Sequence, residues 1–267
     1  SEHGNNITLN EKLFARIKAV YDQKDQANLT PEQNKLLEKV YNSFVRSGAN
    51  LEGEAKEQYR ALSKELSLLT LQFGENNLKE TNDYKLVLTD PAQLAGLPQS
   101  AIDAAAETAK EKGVEGWVFT LQAPSYSPFM TYASNRDLRC ELYMAYNTKC
   151  THDNETNNLE IVKKLVNTRL AIAQLLGYSS FAEYNLKERM AENSGNVYKL
   201  LDQLLDAYTP TAKQEYAEVE ALARQLEGND FTVMPWDWSY YSHKLKDQKF
   251  QIDDEMLRPY FELSKVK

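Results

Sequence analysis

Residues 30–48 read TPEQNKLLEKVYNSFVRSG, and this stretch decides the fold class. Thr30 and Gln33 have the spacing of a capping box, and Pro31 stands at the first helical position. Apolar side chains then recur every three or four residues as far as Gly48, a residue that commonly terminates helices. The stretch therefore predicts an amphipathic helix that buries one face against its neighbours.

Helical periodicity continues along most of the chain. A capping box at Thr8-Leu9-Asn10-Glu11 predicts a first helix that ends near Asp25. Further helices are predicted, in chain order, from Tyr59 to Phe73, from about Gln99 to Lys112, after Pro128, from Ile161 to Leu175 and after Ser180.

The last third of the chain predicts three more helices. Val197 to Glu227 is a long amphipathic stretch, and Pro210 should split it into two packed helices because proline lacks the amide donor and clashes with the preceding turn. Asp237 is predicted to be the N-cap of a final helix.

Two short β-prone runs, Tyr84 to Thr89 and Trp117 to Leu121, flank the predicted helix that begins near Gln99. The sequence therefore predicts a mainly α, multi-helical fold with a small strand-helix-strand insertion at about 84–121. A polar loop from Thr148 to Asn158 is the best linker candidate and divides the chain into helical regions 1–150 and 151–267. One continuous helical unit is the alternative.

Composition excludes several classes of function. The 267 residues carry a net charge of -8, with 31 basic residues interleaved among 39 acidic ones, so nucleic acid and anionic membranes are poor partners. No apolar run approaches the roughly 18 to 20 residues of a membrane span.

Cys140 and Cys150 are expected to be free thiols in a reducing compartment, which favours the cytoplasm; a periplasmic location is the alternative if a leader was removed.

The sequence contains none of the short motifs that identify common catalytic or cofactor-binding sites. A zinc peptidase helix needs two histidines four residues apart, but His3, His152 and His243 have no such partner. Cys150 and His152 could ligate together, yet no third ligand lies nearby in sequence. The chain also lacks a serine hydrolase elbow, a phosphate-binding loop and a dinucleotide fingerprint. No catalytic residue and no metal ligand are predicted within it.

An aromatic cluster stands out near the end of the chain, formed by Trp236, Trp238, Tyr240 and Tyr241. Large aromatic side chains with polar tips most often pack in a core or between lobes. The same cluster is also a candidate wall of a substrate groove, with tyrosine hydroxyls as hydrogen-bond donors.

Several strings, taken together and in order, resemble the M3 family of zinc oligopeptidases, the thimet oligopeptidase and neurolysin group. The resemblance is strongest to the bacterial peptidyl-dipeptidase, or dipeptidyl carboxypeptidase, branch. The matching strings are Gly48-Ala49-Asn50-Leu51, Glu65-Leu66-Ser67 to Phe73-Gly74, Leu94-Ala95-Gly96-Leu97-Pro98, Gly116-Trp117-Val118-Phe119-Thr120-Leu121-Gln122, Tyr132-Ala133, Asn135-Arg136-Asp137-Leu138-Arg139, Leu175-Leu176-Gly177-Tyr178, Arg189-Met190-Ala191, Pro235-Trp236-Asp237-Trp238 and Leu257-Arg258-Pro259-Tyr260-Phe261.

The resemblance implies a neurolysin-like helical protein of two lobes that admits short peptides and holds zinc with a His-Glu-x-x-His helix and a later Glu. That motif lies downstream of the Pro-Trp-Asp-Trp region in the family, so this chain would be a non-catalytic N-terminal portion. The parent would hydrolyse oligopeptides, releasing C-terminal dipeptides. The chain alone is expected to be inactive and to bind no zinc itself, with short peptides and the missing C-terminal catalytic part as its partners.

Two other functions remain open from the sequence. The chain could be a metal-free helical module that binds peptides or partner helices in a groove. It could also be half of a shell whose exposed apolar surface is meant for the missing half, which is compatible with the peptidase interpretation.

Overall fold

The computed structural model describes residues 2–250, 259–262 and 264–265. In this part of the chain the fold is mainly α with one small sheet, as predicted. The helices are α1 (Glu2–Thr8), α2 (Glu11–Asp22), α3 (Pro31–Arg46), α4 (Gly53–Asp83), α5 (Gln99–Glu111), α6 (Ala123–Tyr132), α7 (Arg136–Asn147), α8 (Leu159–Leu175), α9 (Phe181–Leu186), α10 (Ser194–Glu227) and α11 (Trp238–Phe250). The strands are β1 (Leu86–Leu88) and β2 (Trp117–Phe119).

Helix α3 forms as its sequence predicts. The Thr30 hydroxyl accepts the Gln33 amide at 3.3 Å, and the Gln33 side chain accepts the Thr30 amide at 3.0 Å, which completes the capping box. Beyond the helix, Gly48 adopts a φ of +82°, a left-handed conformation that glycine accepts without strain. Local chemistry alone therefore fixes both ends of this helix.

The first predicted helix was expected to be capped by Thr8, but the structure places the cap at Asn10. Thr8 is the last residue of α1, and its hydroxyl donates to the Gly4 carbonyl at 3.1 Å. Asn10 caps α2 instead, because its side chain accepts the Leu13 amide at 3.0 Å. A second cap-forming residue two positions after Thr8 therefore moves the helix start, and α2 ends at Asp22 rather than near Asp25.

Proline positions account for two further corrections. Pro210 lies inside the single helix α10 and does not split it. It is exposed, so water can satisfy the Asp206 carbonyl that its missing amide would have bound. Pro124 stands in the first turn of α6, which therefore begins at Ala123 rather than at Pro128. None of the described helices is both long and apolar enough to cross a membrane.

The predicted insertion is a two-stranded antiparallel sheet. Leu86 pairs with Phe119 and Leu88 pairs with Trp117, and helix α5 links the two strands in sequence. A core packs on this sheet, in which the rings of Phe119 and Phe129 meet edge to face at 4.6 Å. The core is completed by apolar residues of α6 and α7, of which Leu142 is fully buried.

Two compact units are distinguished by their internal contacts, and each is built from two stretches of chain. The first unit comprises Ser1–Asn76 and Asn157–Leu201, and the second comprises Asn77–Thr156 and Asp202–Lys267. This grouping differs from the consecutive regions 1–150 and 151–267, a division that stays a prediction. The first unit has a core around Leu9, Tyr59 and Ile172; the second contains the sheet and its core.

Candidate functional site

The candidate site is built in the second unit from helix α7 and the segment that precedes α11. Asn135 caps α7 by accepting the Leu138 amide at 3.1 Å. This fixes the first turn of the helix, in which Arg136 and Arg139 are three residues apart and therefore share one face. Both guanidinium groups reach the same carboxylate, that of Asp237.

Asp237 ends a short 3-10 turn, Pro235–Asp237, and is completely buried. Its carboxylate accepts Nη2 of Arg136 at 2.7 Å and Nη2 of Arg139 at 2.8 Å. It also accepts the Met234 amide at 3.0 Å. Asp237 stands immediately before α11, at the predicted cap position, but its carboxylate bonds two arginines and the Met234 amide of its own turn.

Arg139 is as deeply buried as its partner, with 1% of its surface exposed. Its guanidinium donates to the Ala133 carbonyl at 2.8 Å and to the Trp236 carbonyl at 3.3 Å, in addition to Asp237. It also lies over the ring of Tyr240, 4.1 Å from the centroid. A buried charge is tolerated only when its donors are satisfied, and here the Asp237 carboxylate and the Ala133 and Trp236 carbonyls accept hydrogen bonds from them.

The electrostatics of Asp237 follow from these partners. Burial alone would raise the pKa of the carboxyl, because it disfavours the charged form. Hydrogen bonds from Arg136, the Met234 amide and Arg139 outweigh burial and hold the pKa of Asp237 below its ordinary value. The carboxylate is therefore held in its charged form between the two arginines.

Three of the four predicted groove residues pack inside the unit. Trp236 packs against the sheet core and meets the Tyr143 ring edge to face at 6.2 Å. Tyr240 and Tyr241 are buried, and the Tyr241 hydroxyl donates to Glu227 at 2.9 Å. Burial and that hydrogen bond raise the pKa of Tyr241.

Trp238 is the fourth predicted groove residue and is 40% exposed. Its indole stacks on the Tyr216 ring, with centroids 5.8 Å apart and the planes within 6° of parallel. It lines a cavity of about 330 Å³ between α10 and α11, together with Leu245 and the ion pair Glu218–Lys249. An exposed indole stacked on a second ring is a platform suited to apolar or aromatic side chains of a ligand. The role of all four residues in a substrate groove stays a prediction.

The zinc that the resemblance implies finds no ligand set here. His152 lies 3.6 Å from Glu80, and His243 pairs with Asp247 at 3.0 Å. Across the described residues there is no group of three or more histidine, cysteine, aspartate or glutamate side chains that could hold a metal ion. Since protein zinc sites use three or four such ligands, the described residues do not fit this ion.

The loop that carries Cys150 and His152 folds onto the end of α4. Glu80 accepts the Cys150 amide at 2.5 Å and the Thr156 hydroxyl at 3.2 Å. Burial, reinforced by Glu80, raises the pKa of the Cys150 thiol to about 11. Cys150 and Cys140 are both free. Glu80 therefore ties this loop to α4, and the protonated, buried Cys150 thiol is a poor nucleophile.

Comparison with known sequences identifies the class of protein. The sequence model of peptidase family M3 matches residues 129–267, slightly more than half of the chain. The matched region contains Arg136, Arg139 and Asp237, together with the whole aromatic cluster. The chain belongs to peptidase family M3.

The relatives include longer bacterial peptidases. The chain is 35% identical over 270 residues to oligopeptidase A of Escherichia coli and 34% identical over 270 residues to oligopeptidase A of Haemophilus influenzae. It is 32% identical over 267 residues to dipeptidyl carboxypeptidase of Escherichia coli. Each match covers all of this chain and 39% to 40% of the relative. The chain therefore spans about two fifths of the length of these relatives.

Sequence reasoning missed the two arginines as members of the site. Both lie in the string Asn135 to Arg139, which was noted only for its resemblance to the family. The sequence does show two arginines at helical spacing, Arg136 and Arg139, and an aspartate between two tryptophans, Asp237. Nothing in the spacing of either string shows that the two meet, because about 100 residues separate them.

Proposed function

We propose that this chain is the N-terminal, non-catalytic portion of a zinc-dependent metallopeptidase that hydrolyses oligopeptides. The observation that carries the proposal is the family match, combined with a chain that spans two fifths of its relatives. We further propose that the parent releases dipeptides from the C-terminus of its substrates. Relatives named oligopeptidase A and dipeptidyl carboxypeptidase match at nearly equal identity, so this finer activity requires its own test.

In this proposal zinc is held by residues of the parent outside this chain, where it supplies a polarising metal and an activated water. The residues described here contribute structure and substrate contacts. Arg136, Arg139 and Asp237 fix the segment that carries the aromatic cluster, and Trp238 offers an exposed ring to a passing peptide. The partners are short peptides and the catalytic part of the same protein.

The test is hydrolysis of an internally quenched oligopeptide in the presence of zinc. The chain of residues 1–267 is expected to give no turnover above background, whereas the longer protein from the same reading frame is expected to cleave the peptide until a chelator is added. Mass analysis of the products distinguishes dipeptide release from internal cleavage. Chelator-sensitive turnover by the chain alone would overturn its non-catalytic assignment.

A metal-free peptide-binding module is the second candidate, and the stacked pair of Tyr216 and Trp238 favours it. Such a platform can hold an aromatic or apolar side chain without any metal. This candidate predicts micromolar binding of oligopeptides that a chelator does not change. Binding by fluorescence anisotropy, measured with and without the chelator, decides whether the groove alone accounts for the function.

The compartment is also proposed rather than observed. We place the parent in the cytoplasm, since two free cysteines suit a reducing environment. The alternative is the periplasm, for a precursor that loses a leader. Fractionation of the native host, with the protein detected by antibody, distinguishes the two.

A further inference from the structure

Helix α8 of the first unit is apolar on two faces. One face, formed by Ile161, Leu165 and Ile172, is buried. Ile161 and Leu165 pack with Leu66 and Leu69 of α4 in one core cluster. This is the ordinary arrangement of an amphipathic helix, in which one stripe meets a neighbour.

The other apolar face of α8 is uncovered. Its side chains follow one another at spacings of three, four and four residues and are 38% to 57% exposed; they are Leu159, Val162, Val166 and Leu170. At 1.5 Å per residue this exposed stripe is about 16 Å long, or three helical turns. A helix that is apolar around most of its circumference is normally buried on more than one side.

Basic residues border the exposed stripe. On the helical wheel Arg169 lies along one edge and Lys163 along the other. The Lys163 ammonium is 69% exposed and pairs with Glu160 on its own helix at 2.6 Å. The Arg169 guanidinium is half-buried and lies over the Phe181 ring, 5.5 Å from its centroid. Both basic groups therefore already have a contact within this chain, and what the stripe offers a second helix is its apolar side chains.

The size of the stripe indicates where its partner comes from. A stable interface between separate molecules buries roughly 800 Å² on each side. Four side chains that are already about half covered fall well short of this, so neither a second copy nor a separate protein would be held by the stripe alone. A segment of the same polypeptide needs far less area, because its tether gives it a high effective concentration.

We propose that the exposed stripe of α8 is the docking surface for the apolar face of an amphipathic helix from the remaining part of the parent polypeptide. The inference rests on the proposed function, since it requires a parent longer than this chain. The relatives are consistent with such a parent, because about three fifths of their length lies outside the region that this chain matches.

The test compares thiol labelling in the chain of residues 1–267 and in the longer protein from the same reading frame. Val166→Cys places a thiol in the stripe, and the matched control Asn167→Cys places one on the exposed polar face one residue later. Peptide mass spectrometry reads each position separately, so Cys140 and Cys150 remain in place. We expect maleimide to label position 166 about tenfold or more slowly in the longer protein, with little change at position 167.

Four results would overturn the inference. The first is equal labelling of position 166 in the two proteins, and the second is equal protection of positions 166 and 167. The third is protection in the chain alone that increases with its concentration, which would identify a second copy as the partner. The fourth is protection of the chain by added oligopeptide, which would make the stripe a peptide site.

The proposed function is tested separately on the same longer protein. A protein that cleaves peptides but leaves position 166 reactive contradicts the docking surface alone. A protein that protects position 166 but cleaves no peptide supports the docking surface and contradicts the peptidase assignment alone.

Discussion

Nη2 of Arg139 lies 2.8 Å from Oδ1 of Asp237, and both side chains are buried although 98 residues separate them in sequence. The pair joins α7 to the turn that carries Trp236 and Trp238. Buried ion pairs often add little net stability compared with apolar residues of the same shape, but separating the two partners leaves an uncompensated buried charge. The pair therefore specifies where the aromatic segment lies.

Removing the shared carboxylate should be strongly destabilising. Asp237→Asn leaves the buried guanidinium of Arg139 without its counterion, and breaking such a pair costs about 3 to 5 kcal/mol. Urea unfolding of the chain measures the loss. Asp137→Asn, which removes an exposed aspartate on α7, is the matched control and should change the free energy of unfolding by about 0.5 kcal/mol or less. Equal effects of the two substitutions would contradict the role of Asp237.

The same carboxylate should make stability depend on acidic pH. The pKa of Asp237 is lowered in the folded chain, whereas the pKa of an aspartate in the unfolded chain is about 3.9. The unfolded chain therefore binds its proton first as the pH falls, and the stabilisation present above about pH 4 is lost as the pH falls through the folded pKa. The free energy of unfolding should decline less steeply below pH 4 in Asp237→Asn than in the wild type. Parallel curves would show that Asp237 has no lowered pKa.

Gly96 should not tolerate a side chain. It adopts a φ of +87°, and an added Cβ would lie 2.3 Å from the Tyr132 carbonyl oxygen. Gly96→Ala should therefore cost about 2 kcal/mol or more, through overlap as well as backbone strain. Gly113→Ala is the control, because Gly113 also has a positive φ but its added Cβ would meet no atom within 4 Å. Its cost should be the left-handed penalty alone, about 1 kcal/mol.

The two cysteines should react with thiol reagents at very different rates. Cys150 is 4% exposed, and its pKa is raised to about 11, so little thiolate is present and little of it is accessible. Cys140 is only half-buried. At pH 8 a disulfide reagent should therefore titrate one thiol quickly and the second only after unfolding, and peptide mapping should assign the fast thiol to Cys140. Fast modification of Cys150 in the folded chain would contradict its environment.

Trp238 should matter for peptides more than for folding. Because its indole is 40% exposed, Trp238→Ala should cost about 1 kcal/mol of stability, whereas Trp236→Ala should cost about 3 to 5 kcal/mol. In the longer protein Trp238→Ala is expected to raise KM for an oligopeptide severalfold. Tyr146→Ala removes another exposed, stacked ring, 38% exposed and outside this cavity, and should leave KM unchanged. An unchanged KM in Trp238→Ala would remove it from the groove.

Local signals predicted much of the fold. The capping box at Thr30, the strand-forming runs beside α5 and the start of α9 after Ser180 each depend on neighbours within a few residues, and each is found in the structure. The prediction that Pro210 splits α10 is wrong because Pro210 is exposed, and water can satisfy the carbonyl that its missing amide leaves unbonded. Exposure depends on tertiary structure, which the periodicity of one segment does not contain.

The candidate site was less predictable because its contacts are distant in sequence. Asp237 has the residue type and position of an N-cap, and only the fold brings two arginines of α7 to its carboxylate. Similarly, Gly96 is required because its neighbour in the fold is the Tyr132 carbonyl oxygen, 2.3 Å from where a Cβ would lie, and this contact joins two of the family strings. Several family strings therefore record long-range contacts that no single string reveals.

The coding sequence that follows the codon for Lys267 tests the central claim most directly. If this chain is the N-terminal part of a zinc peptidase, the reading frame should continue and encode a His-Glu-x-x-His helix with a later Glu, in line with relatives of which this chain covers 39% to 40%. A stop codon within a few residues of Lys267 would contradict that claim, and the metal-free peptide-binding module would then be the function to test.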